Sequence, residues 1–139
     1  MSKKKVAAHQ IPKDPGKIFK EEKKFKNESI NLSKALSYKR KEEHQKAFKI
    51  IEGLLNCKEA VIQSQAEYLA AEYYLHGYIK KDEKKAFNYV QTLADKQEYE
   101  KALNIFNQIS KRDGSELKSE ALKKVNEYKG KVDRMLRFQ

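Results

Sequence analysis

Between Ala66 and Ala94 the chain reads AEYLAAEYYLHGYIKKDEKKAFNYVQTLA, two apolar stripes of helical period meeting at Gly77. Glycine reaches the left-handed conformation without a Cβ clash, so Gly77 ends the first helix, and Asp82 caps the second by accepting from an unpaired first-turn amide. Small residues, Ala66, Ala70, Ala71 and Ala86, stand where the helices would meet. An amphipathic pair of this kind cannot bury its stripe alone, so it requires neighbours of the same sort. That requirement predicts an all-α chain, a short α-solenoid of about three antiparallel hairpins.

The remaining segments fit that architecture. Residues 1–28 form a lysine-rich arm with Pro12, Pro15 and Gly16 and no apolar face longer than a turn. Such a composition cannot repay chain ordering, so disorder is expected to about Gly16 and at most a frayed helix after it. The helical-repeat domain is read as 29–139. Asn27 or Ser29 is expected to cap a helix ending near Arg40, followed by a helix from Glu43 with Ala47, Phe48, Ile51, Leu54 and Leu55 at helical spacing. The third helix, from about Glu59 to His76, is the most apolar, and the fourth starts after Asp82. A fifth spans about Gln97 to Lys111. Asp113-Gly114-Ser115 is the clearest break, and a last helix runs from Glu116 to about Leu136.

A weak internal repeat runs through these helices. Lys46-Ala47-Phe48 and Lys85-Ala86-Phe87 match at a spacing of 39, and Lys101-Ala102-Leu103 repeats the pattern. Tyr38 and Tyr74 lie 36 apart, as do Ala66 and Ala102. Alanine provides the hole and an aromatic ring the knob. Ala66, Tyr68, Ala71, Tyr74, Gly77, Asp82, Lys85, Ala86, Tyr89 and Ala94 together resemble one Sel-one-like repeat, with Tyr78-Ile79 in the place of the usual Gly-Val. The flanking segments are closer to tetratricopeptide spacing. The resemblance implies an adaptor or assembly scaffold without chemistry of its own and without a cofactor.

Charge bears on partners. Of the net +11, residues 1–28 carry +5, 29–44 carry +2, 45–95 are neutral and 96–139 carry +4. Basic ends permit attraction to nucleic acid or another anionic surface. Lys3, Lys4, Lys5, Lys20, Lys23, Lys24 and Lys26 make up the candidate electrostatic arm. For a protein or peptide held in the repeat groove, the candidate contacts are Lys34, Ser37, Lys41, Gln63, Glu67, Glu72 and His76. Three readings follow: a non-catalytic protein–protein adaptor, a nucleic-acid- or ribonucleoprotein-associated factor binding through its ends, and a bacterial effector delivered into host cells. An open end of the stack also allows a homodimer.

Catalytic and metal chemistry finds little support. His9, His44 and His76 lack partners at ligand spacing, no glycine-rich phosphate loop exists, and the adjacent acids Glu21-Glu22 and Glu42-Glu43 point to different sides of a helix. Cys57, the one cysteine, excludes an internal disulfide and reads as a small buried thiol in a reducing, cytoplasmic compartment. The tyrosines Tyr68, Tyr73, Tyr74, Tyr78 and Tyr89 are expected to pack in the core. No apolar run reaches the roughly 20 residues of a membrane span.

Overall fold

The computed structural model describes residues 15–137, with side chains from Lys23 onward. Six helices follow one another: α1 (Pro15–Arg40), α2 (His44–Leu54), α3 (Ala60–His76), α4 (Glu83–Asp95), α5 (Tyr99–Ser110) and α6 (Lys118–Arg137). They pack as three sequential antiparallel hairpins, α1 with α2, α3 with α4 and α5 with α6. The first helices also touch, so α1 and α5 flank α3. The all-α stack of hairpins read from the sequence is the observed fold.

A common register explains the stacking. In α2, α4 and α6 the fourth, fifth, eighth and eleventh residues are Ala47-Phe48-Ile51-Leu54, Ala86-Phe87-Val90-Leu93 and Ala121-Leu122-Val125-Tyr128. The three alanines are completely buried, since a bare methyl is what lets two helix backbones approach. Phe48 and Phe87 are buried beside them, whereas Leu122 is 51% exposed because no further pair covers α6. The third unit was read differently from the sequence. Ala102 belongs to α5, a first helix, and Ala121 is the true counterpart of Ala47 and Ala86.

Two apolar clusters make the core, one centred on α2 and the first half of α3, the other on α4, α5 and α6. Tyr74 and Tyr89 pack against both. Their rings lie nearly parallel with centroids 6.1 Å apart, and Phe48 meets Tyr74 edge-on, so the seam between clusters is aromatic. Tyr73 is 1% exposed, with its hydroxyl satisfied by His44 Nδ1 at 2.9 Å. Cys57 is buried as expected.

The beginning of the domain departs from the sequence reading. α1 is one continuous helix of 26 residues, so Asn27 and Ser29 sit inside it and cap nothing. The helix crosses the expected boundary at 28. Its turns around Phe25 and Glu28 lie beside Lys58 and Glu59 in the α2–α3 turn, a tertiary support that lysine-rich composition does not reveal. The portion of the arm in 1–14 lies outside the described residues.

Three helices end with a shared hydrogen bond from an amide to the carbonyl five residues back. After α1 the Glu43 amide donates to the Tyr38 carbonyl and that of Glu42 to Lys39; after α4, Glu98 donates to Leu93 and Gln97 to Ala94; after α3, Tyr78 and Gly77 both donate to Tyr73. The pattern places one residue in the left-handed region, and it is occupied by Glu42 (φ 60°), Gly77 (φ 70°) and Gln97 (φ 67°). Only Gly77 is suited to it. A Cβ there would lie 3.1 Å from Lys81 Cβ. Asp82 caps α4 by accepting from the Lys85 amide at 3.1 Å. Substitutions at these equivalent positions therefore have opposite signs. Gly77→Ala is expected to cost about 1 kcal/mol, and Gln97→Gly to gain about 0.5 kcal/mol. Urea midpoints of the two variants check this, and a Gly77→Ala variant as stable as the parent would refute it.

Candidate functional site

The side chains that α3 leaves uncovered recur at three- and four-residue steps: Val61, Gln65, Tyr68, Glu72 and His76. Buried residues flank this stripe, with Ile62, Ala66, Leu69 and Tyr73 on one side and Ser64, Ala71 and Leu75 on the other. Because α1 and α5 flank α3, the stripe becomes the middle of a surface shared by the three first helices. Lys39 of α1 reaches across to donate to Glu72 Oε1 at 3.0 Å. On the other side, Asn104 Nδ2 of α5 donates to the Tyr68 hydroxyl. Burial, and then the nearby Glu72 carboxylate, push the Tyr68 phenol above its ordinary value, while the bond from Asn104 opposes them.

At one end this surface deepens into a groove of about 500 Å³. Its walls are Tyr68, the first turn of α5 with Tyr99 and Lys101, and Val132, Met135 and Leu136 from the last turns of α6. Met135 and Leu136 are half exposed. Tyr99 is held from behind by the parallel ring of Tyr128, with Lys131 Nζ 5.5 Å above it. The groove thus combines an apolar wall with hydrogen-bonding groups on its rim.

Of the residues singled out from the sequence, Glu72 and His76 lie on this surface. Lys34 and Ser37 border a shallow strip around Ile30 on the side of α1 away from Ala35, and Lys41 lies in the α1–α2 turn. Gln63 and Glu67 are on the opposite side of α3. Lys96 Nζ donates to Glu67 Oε1 at 2.8 Å and to Gln63 Oε1 at 2.9 Å, and Gln63 Nε2 donates to the Leu55 carbonyl. Glu67 is 7% exposed, so it is an internal strut and not the exposed groove residue expected. Lys23, Lys24 and Lys26 are exposed on α1; Lys20 falls within α1, and Lys3, Lys4 and Lys5 lie outside the described residues.

Tyr68 and Asn104 were missed as surface residues. Counting four back from Glu72 reaches Tyr68, but a tyrosine beside three buried alanines reads as core. The exposed Val61, which starts the stripe, hides its phase. Tyr78, expected in the core, is 41% exposed.

No protein-family model, curated protein or solved structure matches the chain. Among the described residues no three His, Cys, Asp or Glu side chains are placed to hold a metal ion, and no helix is long and apolar enough to cross a membrane. Burial pushes the Cys57 thiol up, away from the thiolate a nucleophile requires. His76 is pushed below the ordinary imidazole value by burial and by the charge of Arg112.

One ion cluster braces the second pair against the third. Arg112 Nη1 donates to the Leu75 carbonyl at 2.6 Å and to Glu83 Oε2 at 3.0 Å, while the Ser115 hydroxyl donates to Glu83 Oε1 at 2.7 Å. Burial alone would raise the Glu83 carboxyl, but the bonds from Ser115 and Arg112 and the guanidinium charge outweigh it and hold the group below 4.5. A carboxyl depressed in the folded state contributes stability above its unfolded value, and that contribution disappears as pH falls through the folded one. Glu83→Gln is expected to lower stability at pH 7 yet flatten the loss below pH 4.5. Thermal unfolding of both proteins from pH 7 to pH 3 checks this; parallel curves would refute it.

Proposed function

We propose that the chain is a non-catalytic adaptor that holds a protein segment in the groove where α3, α5 and α6 meet. The observation that carries this reading is the groove itself. An apolar wall from Val132, Met135 and Leu136 is set beside Tyr68 and Tyr99, with Lys101 and Asn104 on the rim. A side chain or short helix with an apolar anchor fits such a site, and the rim groups fix its orientation. Tyr68 is suited to be the central anchor, being large, half-buried and already oriented by Asn104.

The likeness of 66–94 to a Sel-one-like repeat supports the same reading, because stacked helix pairs serve as scaffolds through the face of their first helices. In this pair α3 ends at left-handed Gly77, α4 is capped by Asp82, and the alanines between them are buried.

The test uses a photo-activated crosslinking side chain at Asn104 on the surface, with Asn88 on the exposed side of α4 as control. In cells of the source, washed at high salt, one defined protein adduct is expected from position 104 and none from 88. Tyr68→Ala is expected to weaken binding of that partner about tenfold or more. Equal labelling from both positions, or an unchanged affinity for Tyr68→Ala, would overturn the assignment.

A further inference from the structure

A second surface lies on the edge of the stack. Because each helix reverses the one before it, the α1–α2, α3–α4 and α5–α6 turns all fall on one edge, and the other two turns fall on the opposite edge. This brings together basic runs far apart in sequence: Arg40 at the end of α1 and Lys41 after it, Lys80 and Lys81 in the second turn with Lys84 and Lys85 in the opening turn of α4, and Lys111 in the third turn. None of these seven forms an ion pair among the described residues. Of the acids beside them, Glu42 and Glu116 form no ion pair among the described residues, Asp113 is paired with Lys118, and the others are committed. Glu83 is held by Arg112 and Ser115, Glu72 by Lys39, Glu43 by Lys46, and Asp82 caps α4.

Segment 45–95, neutral as a string, is therefore divided in space. Four of its seven lysines sit on this edge, while Glu52, Glu59, Glu67 and Asp95 lie toward the other. The opposite turns offer Lys58 against Glu59 and Asp95, and their Lys96 is spent on Glu67.

The same edge carries a fixed aromatic ring. Tyr78, 41% exposed, stacks on His44 with centroids 4.5 Å apart and planes within 10°, and stands edge-on to buried Tyr73 at 5.1 Å. The hydrogen bond between His44 and Tyr73 locks the arrangement. Neighbouring helices pack 8–10 Å apart, so the three turns span about 20 Å. That length suits about four nucleotides of a single strand.

From this juxtaposition we infer that the edge built by the three turns binds single-stranded nucleic acid, with a base stacked at Tyr78 and phosphates on the lysines of the first two turns. A duplex keeps its base faces covered and cannot use the ring. An acidic peptide matches the charge but brings no flat partner for Tyr78. This site is separate from the groove at Tyr68, and it also differs from binding through the chain's basic ends.

The test is fluorescence anisotropy of the full chain with an oligouridylate of about ten nucleotides, over a salt series. With about four phosphates neutralised, log K is expected to fall with log salt at a slope of about −3. Tyr78→Leu is expected to weaken binding at least fivefold and Tyr78→Phe to restore it. The pair Lys80→Gln and Lys81→Gln is expected to weaken binding and reduce the slope by about one to two. Because exposed lysines do not hold the fold, that variant remains a test even if Tyr78→Leu unfolds. Equal affinity for a duplex or for polyglutamate, or no change on replacing Lys80 and Lys81, would overturn the proposal. So would a loss confined to Lys3→Gln, Lys4→Gln and Lys5→Gln. Binding to the oligouridylate leaves the Asn104 crosslink unaffected, so either reading can fail alone.

Discussion

At Ala47, Ala86 and Ala121 the second helix of each pair presents only a methyl group to its neighbours, and all three are fully buried. Backbones that approach this closely leave no room for adjustment, so each pair has one register. The residues one, four and seven positions further on are then obliged to fill the space around the crossing. Phe48, Ile51 and Leu54 do so in the first pair, and Phe87, Val90 and Leu93 in the second. The third uses Val125 and Tyr128, and its Leu122 has nothing to pack against. The stack is thus made of one solution used three times and left open at its end.

Apolar crossings fix the pairs; polar struts fix one pair to the next. Lys39 with Glu72 joins the first to the second, and Arg112 with Glu83 and the Leu75 carbonyl joins the second to the third. Exposed ion pairs contribute little, roughly 0 to 1 kcal/mol, because water and side-chain entropy offset them. These are different in kind. Glu83 and Glu72 retain less than a fifth of their side-chain exposure, and Glu83 accepts from both Arg112 and Ser115. Removing one partner would strand a half-buried charge, which is where the energetic weight of such groups lies. Lys96, Glu67 and Gln63 form a third strut that ties the α4–α5 turn to α3 and, through the Leu55 carbonyl, to the end of α2.

The sequence exposes the crossings well and the struts poorly. Periodicity marks apolar stripes, and Gly77 with Asp82 punctuates the central turn, so the hairpins were readable. The turns after α1 and α4 use the same left-handed geometry with Glu42 and Gln97, residues that send no such signal, because the surrounding hydrogen bonds force a conformation their side chains resist. Glu67 looks like a solvated face for a related reason. Its partner Lys96 is 29 residues away, and only the folded α4–α5 turn brings it near. The surface at Tyr68 was hidden by an exposed valine and by a tyrosine that resembles its buried neighbours.

Charge shows most clearly what folding adds to a string of residues. Counted along the chain, the middle is neutral and the ends are basic, which directs attention to the ends. Alternating helix direction sorts the same charges by turn. Struts then neutralise selected acids, and the lysines of the α3–α4 turn remain as an unpaired excess on one edge. Fields of unpaired charge extend over about a Debye length, roughly 8 Å in physiological salt, which is close to the separation of successive helices. The contributions of adjacent turns therefore overlap, and the edge presents one continuous potential to an approaching anion. The groove at Tyr68, where Lys101 is paired with Glu98, offers shape and apolar contact instead. Two surfaces of different physics, one short-range and one long-range, thus arise from a single repeat of helix direction.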